Sequence, residues 1–110
     1  MGIKAFDVYL VNLYPTVGLE IKKSGPCIVL SPEKMNNVLG TVIIAPLTTT
    51  LRGYPSRVDL RFQNKFCEVC LDQLRAVDDS RLSKTALGRL KRDDLETIKT
   101  TMSEIFELPG

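Results

Sequence analysis

The sequence predicts a mainly β domain of the α+β class, in which a small β-barrel is followed by one packing helix. Short strand-like runs, separated by Pro and Gly, occupy the first two-thirds of the chain. Beyond residue 93 the apolar residues change to a helical spacing. The chain has 110 residues and no internal repeat, which suits a single domain over residues 1–110.

The N-terminal half of the chain contains three runs that predict strands. Residues 6–13 (FDVYLVNL) are β-branched and aromatic, and a Tyr-Pro pair ends them. Residues 27–30 (CIVL) form an apolar run suited to a buried strand, and residues 31–37, with Ser-Pro and Asn-Asn, predict a connection. Residues 41–47 (TVIIAPL) predict a third strand, with an edge or a bulge at Pro46 because proline cannot donate a ladder hydrogen bond.

Further strands and then a helix are predicted in the C-terminal half. Residues 57–62 alternate apolar with charged side chains, which is typical of a half-buried strand. Residues 66–71 and 74–77 predict one or two more strands, and the polar stretch 78–90 predicts short helical turns.

From residue 93 to residue 108 the apolar side chains recur every three or four positions, which predicts an amphipathic helix with one buried stripe. Asp93 and Glu96 have the spacing of a capping box, so the helix is expected to begin near Asp93 or Asp94. The predicted stripe comprises Leu95, Ile98, Met102, Ile105 and Phe106.

The absence of histidine restricts the chemistry more than any other feature of the composition. Histidine is the side chain whose ordinary pKa lies between pH 5 and 8, so its absence excludes Ser-His-Asp and Cys-His sites, HExxH metalloproteases and histidine-pair nucleases. The formal net charge of +2 permits an anionic partner without indicating one. With 44% hydrophobic and 25% charged residues, the chain is typical of a globular domain and not of a disordered one.

The cysteines and the N-terminus point to the cytoplasm. The chain has an odd number of cysteines and no recognisable signal peptide or long apolar run, so we expect reduced thiols, cytoplasmic localisation and no membrane partner. Cys67 and Cys70 form a CxxC, but residues three apart in a strand point to opposite faces. No second pair completes a zinc site, so neither a metal nor another cofactor is expected.

Three polar segments lie beside predicted strand ends, where small barrels commonly carry binding loops. They are the loop 18–25, the threonines Thr48, Thr49 and Thr50, and the segment Asp72-Gln73-Leu74-Arg75. Each has a simpler explanation, because threonine, aspartate and glutamine are frequent in turns. The basic run 89–92 is more typical of a solvated surface than of a binding patch.

Four motifs in order resemble one known family. They are FDVYLVNLYPTVGLE (6–20), GPCIVLSP (25–32), PLTTTLRGYP (46–55) and DQLRAVD (72–78). With the terminal amphipathic helix, they make the chain resemble the MazF/PemK/Kid toxin endoribonucleases (mRNA interferases) of type II toxin–antitoxin systems. The resemblance covers essentially the whole chain.

The resemblance implies an SH3-like β-barrel of the CcdB/PemK type, a homodimer, and single-stranded RNA bound in a groove that spans both subunits. Members of the family cleave mRNA at short sequences without a metal, and a cognate MazE-like antitoxin blocks the groove. The RNA's own 2′-hydroxyl is the nucleophile, and the products carry a 2′,3′-cyclic phosphate and a 5′-hydroxyl. This chemistry does not require histidine, since arginine and threonine can hold the phosphate oxygens.

The resemblance also implies the roles of particular positions. Thr48 matches the family's catalytic threonine, whereas Gly25 stands where many members have a catalytic arginine. Glu20 matches a loop glutamate, and Asp72 and Arg75 match positions linked to RNA contact or, in the Kid branch, to catalysis. Neighbouring residues expected to support RNA binding are Lys22, Lys23, Thr49 and Gln73. The histidine and second arginine of the Kid branch correspond here to Leu19 and Cys70.

Gly25 therefore leaves alternatives open. Loss of a preorganised charge stabiliser costs about 10²–10³ in rate, and a flexible lysine does not replace a bidentate guanidinium. The chain is then a catalytically impaired toxin, or Gly25 is a tolerated loop-to-strand hinge. Two other readings are a non-catalytic module that binds RNA or antitoxin, and a CcdB-like gyrase inhibitor, against which the segments 46–55 and 72–78 argue.

Overall fold

The computed structural model describes residues 2–14, 18 and 24–107. These residues form seven strands and two α-helices. In chain order the elements are β1 (Asp7–Val11), β2 (Gly25–Val29), α1 (Glu33–Leu39), β3 (Thr41–Thr48), β4 (Arg57–Phe62), β5 (Lys65–Cys70), β6 (Arg75–Asp78), β7 (Gly88–Arg89) and α2 (Arg92–Phe106). Short 3-10 turns occupy Leu71–Gln73 and Asp79–Arg81.

The strands form one antiparallel sheet in the order β4-β5-β3-β2-β1-β7, and β6 pairs with β3. The predicted α+β class, mainly β with a C-terminal helix, is confirmed. β3 is the centre of the sheet, because it pairs with β2 along one side and with β6 and then β5 along the other. Among the described residues, no helix is long and apolar enough to span a membrane.

Alternation along the strands produces two apolar clusters, one on each face of the sheet. One face carries Val8, Ile28, Ala45 and Leu47 with side chains of β4 and β5, and α2 covers it through Ile98. The other face carries Tyr9, Val11, Cys27, Val29, Val42, Ile44 and Val77. The candidate site, at the start of β2 and the end of β3, lies on this second face.

Pro46 lies in the central strand and not at a sheet edge. Ile43 accepts a hydrogen bond from the Leu30 N–H, so its backbone faces β2, and Pro46, three residues on, faces the opposite side. On that side the pairing changes from β6, last seen at Ile44, to β5, first seen at Leu47. The missing N–H of proline therefore falls at the change of partner, where it costs no ladder hydrogen bond.

The connection predicted over residues 31–37 is wrong, since α1 occupies Glu33–Leu39. The helix depends on tertiary hydrogen bonds that sequence periodicity does not reveal. Its buried Asn36 donates through Nδ2 to the carbonyl oxygens of Ile3 (2.8 Å) and Ser31 (3.0 Å), and accepts from the Ser31 hydroxyl. Gly40, with φ 70°, ends the helix in the left-handed conformation.

The C-terminal helix is confirmed, but its predicted capping box is wrong. The helix begins at Arg92, after Lys91 in the cap position, and no side chain caps it. Asp93 and Asp94 lie in its first turn, where they favour the helix dipole. Of the predicted stripe, Ile98 is buried and Leu95 and Met102 pack against the core, while Ile105 and Phe106 remain 36% and 51% exposed.

Candidate active site

The candidate site lies in a row across three strands. β2 and β3 pair with Cys27 opposite Pro46, and continuing this register by two residues brings Gly25 opposite Thr48. Thr48 in turn lies directly opposite Glu68 of β5. Residues that lie opposite each other in a sheet share a face, so these three positions lie on one face of the sheet.

Thr48 is half-buried at the end of β3. Its hydroxyl oxygen accepts a hydrogen bond from the Thr50 N–H at 3.1 Å, which fixes the side chain in a local turn. The hydroxyl proton is not used by that contact, so Thr48 can still donate to an anionic group. Thr49 follows as an exposed residue.

Gly25 begins β2 opposite Val11. A Cβ atom at this position would meet no heavy atom of the described residues within 4 Å. Nor does its backbone occupy the left-handed region that glycine favours. A longer side chain can therefore stand at position 25, next to Thr48, without distorting the strand.

Asp72 is held by Arg57 in a two-pronged pair, with Nε to Oδ1 at 3.1 Å and Nη2 to Oδ2 at 3.3 Å. Partial burial by itself raises the pKa of Asp72, but hydrogen bonds from Arg57 and neighbouring groups outweigh it, and the pKa lies below its usual value. The hydrogen bond to Asp72 likewise raises the pKa of Arg57. Both groups are charged at neutral pH, which fixes the guanidinium in place.

Glu68 is a buried carboxylate beneath the loop of residues 49–56. Its Oε2 accepts backbone N–H groups of Gly53 (2.7 Å) and Arg52 (2.9 Å), and its Oε1 lies 3.5 Å from Arg57 Nη1. The Gly53 hydrogen bond is the largest cause of its lowered pKa, with Arg52 and Arg57 also contributing against the effect of burial. Glu68 therefore stays ionised and joins the loop after Thr48 to the sheet.

Arg75 begins β6 opposite Ile44, on the same face as Thr48. Its Nη1 donates to the Leu13 carbonyl at 3.4 Å, which directs the side chain toward the end of β1. Gln73 is half-buried in the 3-10 turn that carries Asp72. The predicted residues Glu20, Lys22 and Lys23 lie outside the described residues.

Sequence reasoning missed Arg57 and Glu68. Arg57 belongs to the charged set of a strand predicted as half-buried, yet its side chain is only 7% exposed because Tyr54 and the two carboxylates enclose it. Glu68 had one sequence feature that could have revealed it. It is a lone carboxylate between Cys67 and Val69 in an otherwise apolar run.

The cysteines are buried and free. Cys67 packs in the core cluster, and Cys70, on the opposite face, lies across from Arg57. Burial raises the pKa of Cys27 to about 12 and that of Cys70 to about 11, so both thiols are protonated at neutral pH. Within the described ranges, no group of three or more His, Cys, Asp or Glu residues is arranged to hold a metal ion.

Comparisons with known proteins agree on one family. Residues 4–106 match the profile of the "PemK-like, MazF-like toxin of type II toxin-antitoxin system". The chain is 31% identical over 100 residues to the Endoribonuclease toxin MazF of Escherichia coli (strain K12), covering 91% of this chain and 90% of that protein.

Solved structures show the same fold. The crystal structure of MazF (Form-I) from Deinococcus radiodurans superposes with a TM-score of 0.86 and 26% identity, covering 98% of this chain and 99% of the other. The crystal structure of MazE-MazF (Form-II) from the same organism gives 0.79 at 23% identity, with 99% of each chain covered. The chain belongs to the PemK-like, MazF-like toxin family of type II toxin–antitoxin systems.

Proposed function

We propose that this chain is a metal-independent endoribonuclease toxin that cleaves single-stranded mRNA and is catalytically impaired at Gly25. The observation that carries the proposal is the strand register, which pairs Thr48 with Glu68 and, continued by two residues, brings Gly25 opposite Thr48, with Arg75 on the same face. The 31% identity to a MazF endoribonuclease supports the reaction class.

The proposed chemistry is an internal transesterification. The 2′-oxygen of the RNA forms a bond to the adjacent phosphorus, and the bond from phosphorus to the 5′-oxygen breaks. The 2′-hydroxyl loses its proton and the departing 5′-oxygen gains one, leaving a 2′,3′-cyclic phosphate and a 5′-hydroxyl. The protein supplies no nucleophile, so its task is to position the strand and stabilise charge on the phosphate oxygens.

The site residues have different proposed roles in this reaction. The Thr48 hydroxyl donates a hydrogen bond to a phosphate oxygen. Arg75 and the Arg57–Asp72 ion pair determine the electrostatic potential along the same face. Glu20, Lys22, Lys23, Thr49 and Gln73 support RNA binding around it. The missing part is a bidentate guanidinium at position 25, where a glycine leaves room among the residues that the structure describes.

We further infer a homodimer and a MazE-like antitoxin as partners, in the cytoplasm. Solved structures from Deinococcus radiodurans hold MazE together with MazF, and the fold of this chain is similar to theirs. Support for a homodimer comes from an open apolar hollow of about 250 Å³, which Met35 of α1 and Met102 and Phe106 of α2 line together with Leu30 and Leu74. A second copy would cover these side chains.

The experiment is an RNA cleavage assay that compares the chain with its Gly25→Arg variant, with the product ends analysed. Installing the guanidinium should raise the cleavage rate by at least about tenfold, since one such group accounts for about 10²–10³ in comparable sites. EDTA should leave the rate unchanged. Thr100→Arg, on the exposed side of α2, adds the same charge away from the site and should not raise the rate.

Thr48→Ala in the Gly25→Arg background should abolish the restored activity, and retained activity would remove Thr48 from the site.

The open position 25 favours one second candidate, a non-catalytic module that binds RNA or antitoxin. That candidate predicts no cyclic-phosphate product even from Gly25→Arg. A gyrase supercoiling assay on the same samples tests the CcdB-like alternative, which predicts inhibition of gyrase without RNA cleavage.

A further inference from the structure

An exposed aromatic side chain lies beyond Glu68 on the same face of the sheet as Thr48. Phe66 is two residues before Glu68 in β5, about 7 Å along the strand, and so shares its face. Its side chain is 68% exposed, although phenylalanine is usually buried. The Arg61 guanidinium, directly opposite in β4, lies 5.3 Å from the centre of the Phe66 ring.

Phe66 and Arg61 line an open pocket of about 310 Å³. Leu51, 57% exposed in the loop of residues 49–56, also lines this pocket, as do Asp59, Leu60 and Cys67. This volume is at the small end of ligand pockets, which span about 300–1,000 Å³. It suits one planar ring system and is too short for the several side chains that an apolar helix would insert.

The charge around the pocket favours an anionic occupant. Arg52, Arg61 and Lys65 carry positive charge on this part of the loop and hairpin, against the single carboxylate of Asp59. Arg57 is paired with both Asp72 and Glu68, so that cluster carries one net negative charge, and the surroundings of the pocket remain positive when it is included. Aromatic rings beside arginine in a positive groove are the usual means of binding single-stranded nucleic acid, because every base has a stacking face.

The loop of residues 49–56 links the pocket to the candidate active site. The loop that follows Thr48 supplies Leu51 to the pocket and is tied to Glu68 through the N–H groups of Arg52 and Gly53. The loop covers Glu68, which lies between Thr48 and Phe66, so a strand of RNA whose phosphate lies at Thr48 would reach Phe66 by passing over this loop. We propose that Phe66 and Arg61, together with Leu51, form a stacking subsite for one base of a single-stranded RNA bound at Thr48.

This inference rests on the proposed function, and its test measures binding and not cleavage. The probe is a fluorescein-labelled, single-stranded RNA pool of random sequence in which every 2′-hydroxyl is methylated, so that it stays intact. The chain contains no tryptophan, so Phe66→Trp introduces a sole indole at the proposed subsite. Stacking of a base on that indole should quench its fluorescence as the RNA saturates the protein.

Fluorescence anisotropy then gives the affinity of each variant. Phe66→Leu should weaken RNA binding about 5- to 140-fold, equivalent to about 1–3 kcal/mol per stacked base at 1.4 kcal/mol per tenfold. Phe66→Trp should retain the affinity. Arg61→Gln should weaken binding, whereas Lys34→Gln, which removes a charge from exposed α1, should change it much less.

The failures can be told apart. If the unaltered chain does not bind the RNA pool, the proposed function and this inference are both overturned. If it binds, but Phe66→Leu binds equally well or the introduced indole is not quenched, only the stacking subsite is overturned. An indole signal that changes on dilution of the protein without RNA would assign this surface to a protein interface instead and would also overturn the inference.

Discussion

Thr48 and Glu68 lie directly opposite each other on β3 and β5. Their pairing joins the candidate catalytic threonine to the carboxylate that holds the following loop, because Glu68 accepts the backbone N–H groups of Arg52 and Gly53. The loop also carries Tyr54, whose ring centre lies 4.8 Å from the Arg57 guanidinium. The site is thus built on a buried ion pair that lies beneath a loop.

Replacing Glu68 with glutamine should destabilise the fold by about 3 kcal/mol, as breaking a buried ion pair does. The Arg57 guanidinium would lose one carboxylate while remaining 7% exposed, and the loop N–H groups would lose a charged acceptor. Urea unfolding measures the effect. Asp59→Asn is the matched control, since Asp59 is the exposed carboxylate opposite Glu68 in β4, and it should change stability by less than about 0.5 kcal/mol.

Stability should fall in acid partly through Glu68. The pKa of Glu68 is lowered in the folded protein, so the unfolded chain binds more protons as the pH drops. The ionised Glu68 therefore stabilises the fold above the ordinary glutamate pKa of about 4.3. That contribution is lost as the pH falls through the lower, folded-state pKa. The unfolding free energy of the unaltered chain should therefore drop more between neutral pH and about pH 3.5 than that of Glu68→Gln. Equal slopes for the two proteins would show that Glu68 is not the titrating group.

Two substitutions should separate the effect of the Thr48 hydroxyl on cleavage from the effect of the shape of the side chain. In the Gly25→Arg background, Thr48→Ser keeps a hydroxyl and should retain cleavage within about tenfold, while Thr48→Val keeps the branched shape and should lose about 10²–10³ in rate. The Thr50 N–H loses its acceptor only in the valine variant, so circular dichroism and melting must show that both proteins remain folded. Similar rates for serine and valine would contradict a chemical role for the hydroxyl.

Strands β1 to β6 and the C-terminal helix could be predicted from the sequence because their signals are local, whereas β7 lies in the stretch 78–90, for which the sequence predicts short helical turns. Alternation marks Val58 and Leu60 in β4, and the spacing of Leu95, Ile98 and Met102 marks α2, and both elements are observed. Helix α1 could not be predicted, because its Asn36 is held by the carbonyl of Ile3, far away in the chain.

The residues of the candidate site, too, could be predicted from the sequence only in part. Ordered motifs brought out Thr48, Asp72 and Arg75, since motif spacing is a property of the sequence. Arg57 and Glu68 were missed, because their burial depends on where the loop of residues 49–56 folds, and an alternating strand pattern carries no information about a loop that covers it. The exposed pair of Phe66 and Arg61 was missed for a related reason, since a strand pattern does not show which of its side chains remain open.

The end of α2 provides a test of the proposed homodimer. Phe106 is 51% exposed and Ile105 36% exposed, and Phe106 lines the apolar hollow together with Met35 of α1. A carboxylate in a protein interface is costly to desolvate, so Phe106→Asp should convert a dimer into a monomer in light scattering, while Phe106→Leu should preserve the dimer. The side chain is already half in water in the single chain, so the aspartate variant should stay folded. A Phe106→Asp protein that remains dimeric would place the interface elsewhere, and an unaltered chain that is monomeric at all concentrations would overturn the homodimer itself.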